Sequence, residues 1–154
     1  MIFIKLKGRT IARGYAEGEV LLSKDPISFL GSTDPKTGII IEKKHSLEGK
    51  SIKGKVLIFP YGKGSTVGSY VMYQLKKNGT APSAIINLET EPIVAVGAII
   101  SEIPLVDKLE KNPYEILKDG DFVRVDGTKG YVEIPDRKED KNKRIETRPE
   151  NRND

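Results

Sequence analysis

One stretch limits the fold more than any other: Lys55-Val-Leu-Ile-Phe59-Pro60-Tyr61-Gly62-Lys63-Gly64-Ser65-Thr66-Val67-Gly68-Ser69. An apolar β run breaks at Pro60, passes through a glycine-rich turn and delivers Ser65 and Thr66 to the start of a helix. From Thr66 to Asn78, Val67, Val71 and Leu75 fall on one helical face with Tyr70 on its flank, and Gly79 stops the helix. Ala84-Ile85-Ile86-Asn87-Leu88 follows as a buried strand. Strand, turn, helix and strand in that order predict a parallel pair joined by a right-handed crossover.

The flanks add further short strands. Ile2 to Lys7 alternates, and Gly18 to Leu22 and Gly38 to Glu42 are short apolar runs bounded by turn residues. Leu30 to Gly38 is a long polar loop of the kind that often carries function. Thr90 is placed to cap a second, mostly apolar helix that holds Pro92 in its first turn, runs to about Ile100 and is ended by Pro104. Leu105-Val106 reads as a strand and Asn112 to Leu117 as a helical turn. Phe122–Asp126 and Tyr131–Ile134, joined by Gly127–Gly130, read as a closing hairpin. The sum is a mixed α/β domain over residues 1–135, layered β/β/α and not doubly wound. Asp136 to Asp154 differs in kind, with seven Lys/Arg, six Asp/Glu and the lone aliphatic Ile145. Such a segment buries too little to offset its ordering entropy and is expected to be a disordered charged tail.

Composition narrows the chemistry. With 154 residues the chain can bury about two-thirds of its unfolded surface. It has no cysteine, which excludes disulfides, thiolate nucleophiles and cysteine metal sites within this chain. The single histidine, His45, builds no multi-histidine metal site and is expected in a turn or on the surface. No apolar run reaches the roughly 20 residues of a bilayer span, and Met1 to Lys7 is too short for a signal peptide, so a cytoplasmic location is expected. The net charge of +4 comes from interspersed charges of both signs, which argues against a nucleic-acid partner, and the lack of a bilayer-length apolar run against a membrane one. High charge, no cysteine and the single glutamine, Gln74, suit a thermophile.

The glycine turn points several backbone N–H groups at one place, and the helix N-terminus adds positive potential there. Whatever sits at that spot is anionic, and a hydroxyl held there becomes unusually acidic. A phosphate-binding P-loop is excluded, because Gly64 separates Lys63 from Ser65 and the upstream glycine is missing. Gly62, Gly64 and Gly68, with Glu89 downstream, give only a loosened dinucleotide fingerprint in a chain too β-rich for that fold. The plainest alternative is that the glycines make a tight turn and Ser65 caps the helix. Three glycines, a lysine and two hydroxyls within seven residues exceed what a turn needs.

A longer ordered set of motifs carries a resemblance. Arg13-Gly14, Ser28-Phe29-Leu30-Gly31, Asp34-Pro35-Lys36-Thr37-Gly38, His45-Ser46-Leu47-Glu48-Gly49, Gly62-Lys63-Gly64-Ser65-Thr66, Gly79 to Ala84 and Gly97 to Pro104 fall in sequence. Together they resemble the small subunit of the aconitase X family, above all its archaeal members, over roughly Gly8 to Tyr131. The resemblance implies the swivelling β/β/α fold of the mobile domain of aconitase. It implies a large partner subunit carrying a 4Fe-4S cluster, with no cofactor or metal bound by this chain. It implies a hydro-lyase acting on a small anionic hydroxy acid: in archaea, loss of water from (R)-5-phosphomevalonate to give trans-anhydromevalonate 5-phosphate, a step of isoprenoid synthesis. The residue at Ser65 is the family's proton acceptor, with Gly62, Lys63, Gly64, Thr66, Gly31 and Ser32 as expected substrate-binding positions. Many relatives have a second glycine where this chain has Ser32. Two other readings stay open: dehydration of another hydroxy acid such as hydroxyproline, and a non-catalytic module that grips an anion or docks a partner.

Overall fold

The computed structural model describes residues 2–136. Eight strands form one sheet in the order β1 (Phe3–Lys7), β8 (Tyr131–Pro135), β7 (Phe122–Asp126), β3 (Tyr15–Leu22), β4 (Val56–Phe59), β5 (Ala84–Asn87), β6 (Leu105–Asp107) and β2 (Arg9–Ala12). The long strand β3 divides it. Its first half, Tyr15 to Glu19, pairs antiparallel with β7, and its second half, Val20 to Leu22, pairs parallel with β4. The antiparallel strands β1, β8 and β7 thus form one layer and the parallel strands β4, β5 and β6 another. The two ends of the sheet, β1 and β2, are consecutive in the chain and joined only by Gly8, so the sheet curls back on itself at that corner.

Side-chain alternation sorts the core into two clusters. Val56 and Ile58 of β4 point between the sheet layers with Leu6, Val20, Ile86, Val125 and Val132. Leu57 and Phe59 point the other way, toward α2 (Gly68–Asn78) and α3 (Pro92–Ile100), with Val71, Met72, Leu75, Val94 and Ala98. Strands buried on both faces read as unbroken apolar runs, as β4 and β5 do. The layers are therefore β, β and α, as the element order predicts. The short helix α4 (Pro113–Ile116) precedes the β7–β8 hairpin.

Four local expectations are corrected. Gly38 to Glu42 is not a strand. It makes only single bridges, Ile39 to Ser51 and Ile40 to Thr33, inside a loop that closes on itself through Ile40 N–H to Lys50 O (2.9 Å) and Ile52 N–H to Gly38 O (2.8 Å). Its apolar run is spent on burying Ile40 beneath the loop. Strand β2 was not expected, since four residues after a glycine show no clear alternation. The helix expected from Thr66 starts at Gly68, so Val67 and Tyr70 are exposed and the buried stripe runs through Gly68, Val71, Met72 and Leu75. Glu91 rather than Thr90 caps α3, its carboxylate accepting the N–H groups of Ile93 (3.0 Å) and Val94 (2.7 Å). Thr90 instead gives its N–H to Asp107 (2.7 Å) and its hydroxyl to Asn87. Of the expected tail, Asp136 is bonded to the residue just ahead of β1 through its N–H to Ile2 O (2.8 Å), and residues 137–154 lie outside the described residues.

Candidate active site

The glycine turn lies at the carboxyl ends of the parallel strands, the edge where open α/β layers bind their ligands. Phe59 ends β4, and the chain then runs beside a second loop: Ile27 bridges to Gly62, with Ile27 N–H on Tyr61 O (3.4 Å) and Lys63 N–H on Ile27 O (3.0 Å). Gly62 is buried, and a Cβ there would lie 2.4 Å from Val94 and 2.6 Å from the capping carboxylate of Glu91. Gly64 takes φ +94°, and a Cβ there would fall 2.4 Å from Ser28 Oγ. Both glycines are therefore demanded by close approach, and Gly64 also by a left-handed backbone.

Ser65 sits on the exposed outer side of this turn. Its Oγ accepts the Val67 N–H at 3.0 Å, and its carbonyl accepts the Gly68 N–H at 3.0 Å. It therefore stands three residues ahead of α2, as the pivot of a hydroxyl turn leading into the helix. The backbone N–H groups of Gly64, Ser65 and Thr66 have no partner among the described residues. Unspent N–H donors just ahead of a helix N-terminus favour negative charge. Thr66 is exposed, and its carbonyl holds the Ser69 hydroxyl (3.1 Å).

Lys63 is directed away from a free role by a residue that the sequence did not single out. Its Nζ lies 3.2 Å from Glu42 Oε2, and Glu42 Oε1 accepts the hydroxyl of Ser32 in a short hydrogen bond. The Ser32 hydroxyl and Lys63 together hold the Glu42 carboxyl below its ordinary value, against a smaller opposing effect of burial. Ser32 is fully buried, and its Oγ also accepts the Ser28 N–H at 3.3 Å. Its one proton is thus spent on Glu42. Gly31, with φ +99°, lies exposed in the kinked turn α1 (Phe29–Ser32) one residue earlier.

The structure therefore links the 27–33 loop, the 38–42 arm and the glycine turn through Ser32, Glu42, Lys63 and the Ile27–Gly62 bridge, while Gly31 and Thr66 flank these contacts along the chain. Glu42, Ser28 and Glu91 complete the site. No spacing marks Glu42, whose partners are 10 and 21 residues away along the chain. His45 is buried rather than superficial. Its Nδ1 accepts the Leu47 N–H (3.0 Å), which leaves Nε2–H to donate to Pro26 O (3.1 Å), so both ring nitrogens are used in shaping the loop. A cleft of about 730 Å³ lined by Thr10, Arg13, Gly14, Ile99, Glu102 and Thr128 lies at the opposite, amino ends of the parallel strands. None of the expected site residues lines it.

Among the described residues no group of three or more His, Asp or Glu is placed to hold a metal ion. A chain without cysteine offers no thiolate, so its donors do not fit an iron–sulfur cluster. No helix among the described residues is long and apolar enough to cross a membrane.

Known proteins resemble this chain closely. The family profile described as aconitase X swivel domain matches residues 5–134. The chain is 81% identical over 134 residues to the phosphomevalonate dehydratase small subunit of Methanosarcina acetivorans, covering 87% of this chain and 93% of the relative. The crystal structure of Thermococcus kodakaraensis aconitase X in its holo-form contains a chain of the same fold, with TM-score 0.81 and 57% identity, covering 86% of this chain and 99% of that one. The solution NMR structure of a UPF0107 protein matches with TM-score 0.78 and 51% identity, covering 86% of this chain and 100% of that one.

Proposed function

Since the chain belongs to the aconitase X swivel domain family, we propose that it is the small subunit of a phosphomevalonate dehydratase and that Ser65 is its base. The observation that carries this reading is the exposed Ser65 in a glycine turn whose Gly64, Ser65 and Thr66 N–H groups are unspent, in a chain 81% identical to a dehydratase small subunit over 134 residues. The reaction removes the elements of water from (R)-5-phosphomevalonate. Ser65, as alkoxide, takes the C2 proton. The C2–H electron pair becomes the C2–C3 double bond, and the C3–O bond breaks with its pair on oxygen, so the departing hydroxide and the proton taken by Ser65 together account for the one water lost.

A lone exposed serine does not ionise at neutral pH. The Val67 N–H already donates to its oxygen, and a hydrogen bond to the charged form favours that form. The helix terminus adds only about 0.3–1 kcal/mol. The remainder must come from excluding water, which a lone open turn does not do. A large partner subunit closing over the turn would provide that exclusion. The 4Fe-4S cluster of the assembled enzyme, for which this chain has no ligands, would belong to the partner. The cytoplasm is the compartment that suits such a soluble metabolic enzyme.

The test is anaerobic co-expression with a candidate large subunit and an assay of water loss from phosphomevalonate. Ser65→Ala should co-purify with the partner as the native chain does and turn over substrate about 10²–10⁴-fold more slowly. Near-normal turnover by that variant would remove Ser65 from the reaction. A chain that stays monomeric beside every such partner would instead be an anion-gripping module.

A further inference from the structure

Three segments distant in sequence meet at one carboxylate. Ser32 reaches Glu42 Oε1 through its hydroxyl, and the Ser32 carbonyl accepts the Ile41 N–H at 2.7 Å, so loop and arm are joined twice. Lys63 reaches Glu42 Oε2 from the glycine turn at 3.2 Å. Ser28, whose N–H is held by Ser32 Oγ, is the residue against which Gly64 is pressed. Glu42 therefore links both walls of the turn that carries Ser65: the lysine on one side and the serine loop on the other. The Glu42 side chain is 32% exposed, and Lys63 is 43% exposed, so the pair stands at the rim of the site rather than in the core. An ammonium has three donors, and Glu42 takes one of them.

We propose that Glu42 is a positioning residue, whose carboxylate locks the Ser28–Ser32 loop and Lys63 into one frame around the Ser65 turn and aims Lys63 at an anionic group of the substrate. The proposal rests on the dehydratase reading for its substrate but not for its mechanical content. An unpaired Lys63 would swing through many rotamers, and each productive encounter would then have to order it again. Glu42 fixes that side chain beforehand, and the same carboxylate fixes the Ser32 hydroxyl, which keeps the loop behind Gly64 from moving. The neighbouring charges are accounted for. Asp25 is engaged by the Ser46 N–H (2.8 Å), and the His45 ring is committed to Pro26 and Leu47, so neither can replace Glu42.

Two measurements test it. In the complex with the large subunit, Glu42→Ala should lower kcat/KM for phosphomevalonate at least tenfold, and Glu42→Asp, too short to span both partners, should recover less than half of that loss. Lys63→Met should cost a similar factor, and Glu42→Ala/Lys63→Met together no more than the worse single variant. Kinetic constants within twofold of the native values for Glu42→Ala, or losses that multiply in the double variant, would overturn the proposal. Independently of turnover, ¹⁵N–¹H spectra of the full chain should show the Gly62–Thr66 and Ser28–Ser32 amides shifting together in the isosteric Glu42→Gln, and staying in place in Glu133→Gln. Amide shifts confined to residues 41–43 would show that Glu42 holds nothing. If the native complex failed on phosphomevalonate while the amides moved as expected, the substrate reading would fall and the lock would stand.

Discussion

Asp107 shows how a single buried charge is made tolerable next to the site. Its side chain is fully buried at the end of β6, where burial alone would raise its pKa. The Arg9 guanidinium forks onto both oxygens at 2.9 and 2.8 Å, and the Thr90 N–H adds a third bond at 2.7 Å. These outweigh burial and hold the carboxyl below its ordinary 3.8. A depressed carboxyl stabilises the fold above the unfolded value, and that stability is lost as pH falls through the folded one. Asp107→Asn, which keeps the shape but loses the charge, should cost about 1–3 kcal/mol in urea unfolding at pH 7. The gap between native and variant should stay level down to about pH 5 and narrow below about pH 4. A gap that widened with acid would mean that Asp107 is protonated in the folded chain. Arg9 and Asp107 stand 98 residues apart, so neither residue's neighbours in sequence announce the pair.

At the scale of elements, what was legible in the sequence was what local pattern decides. The run from β4 through the turn, α2 and β5 was legible because its apolar periods, glycines and prolines all lie within 40 residues and agree. The arm at Gly38–Glu42 was not, because three consecutive isoleucines fit a strand as well as a loop that buries one of them. The cap of α3 was missed for a related reason: Thr90 has the better capping side chain, but tertiary bonds to Asn87 and Asp107 claim it first. Glu91 then takes the cap, and its carboxylate also forms the wall against which Gly62 is pressed. The α3 cap and the glycine turn are thus physically continuous. Glu91→Ala should lower unfolding free energy by about 0.5–2 kcal/mol, the usual cost of a lost cap. Glu91→Ser, which restores a side-chain acceptor, should recover part of it in thermal melts. Equal melting temperatures for native and Glu91→Ala chains would show that the capping bonds contribute nothing.

The whole molecule is a sheet turned back on itself, and that topology decides where the site is. The parallel strands place the turns after β4 and β5 on one edge, and the antiparallel layer covers the face opposite the helices, which leaves that edge open to a partner. Closure depends on the corner at Gly8, which joins the two terminal strands of the sheet. Its N–H bonds to Gly130 O at 2.8 Å, tying the corner to the β7–β8 hairpin. A Cβ at Gly8 would lie 2.6 Å from the Asp107 carbonyl oxygen, 2.7 Å from Val106 and 2.9 Å from Leu109, so neither backbone nor side chain leaves room for alanine. Gly8→Ala must push β2 away from β6 or bend the corner, and overpacking of this kind costs about 1–3 kcal/mol. Hydrogen exchange should then quicken first in β2 and β6, at the seam between this edge strand and its neighbour, while β4 and β5 keep their protection. Because Asp107 belongs to the same seam, Gly8→Ala should also loosen the Arg9 fork, and its cost combined with Asp107→Asn should be less than the sum of the two. Strict additivity would mean that the corner and the buried pair hold the seam independently, and that closure of the sheet is not one cooperative event.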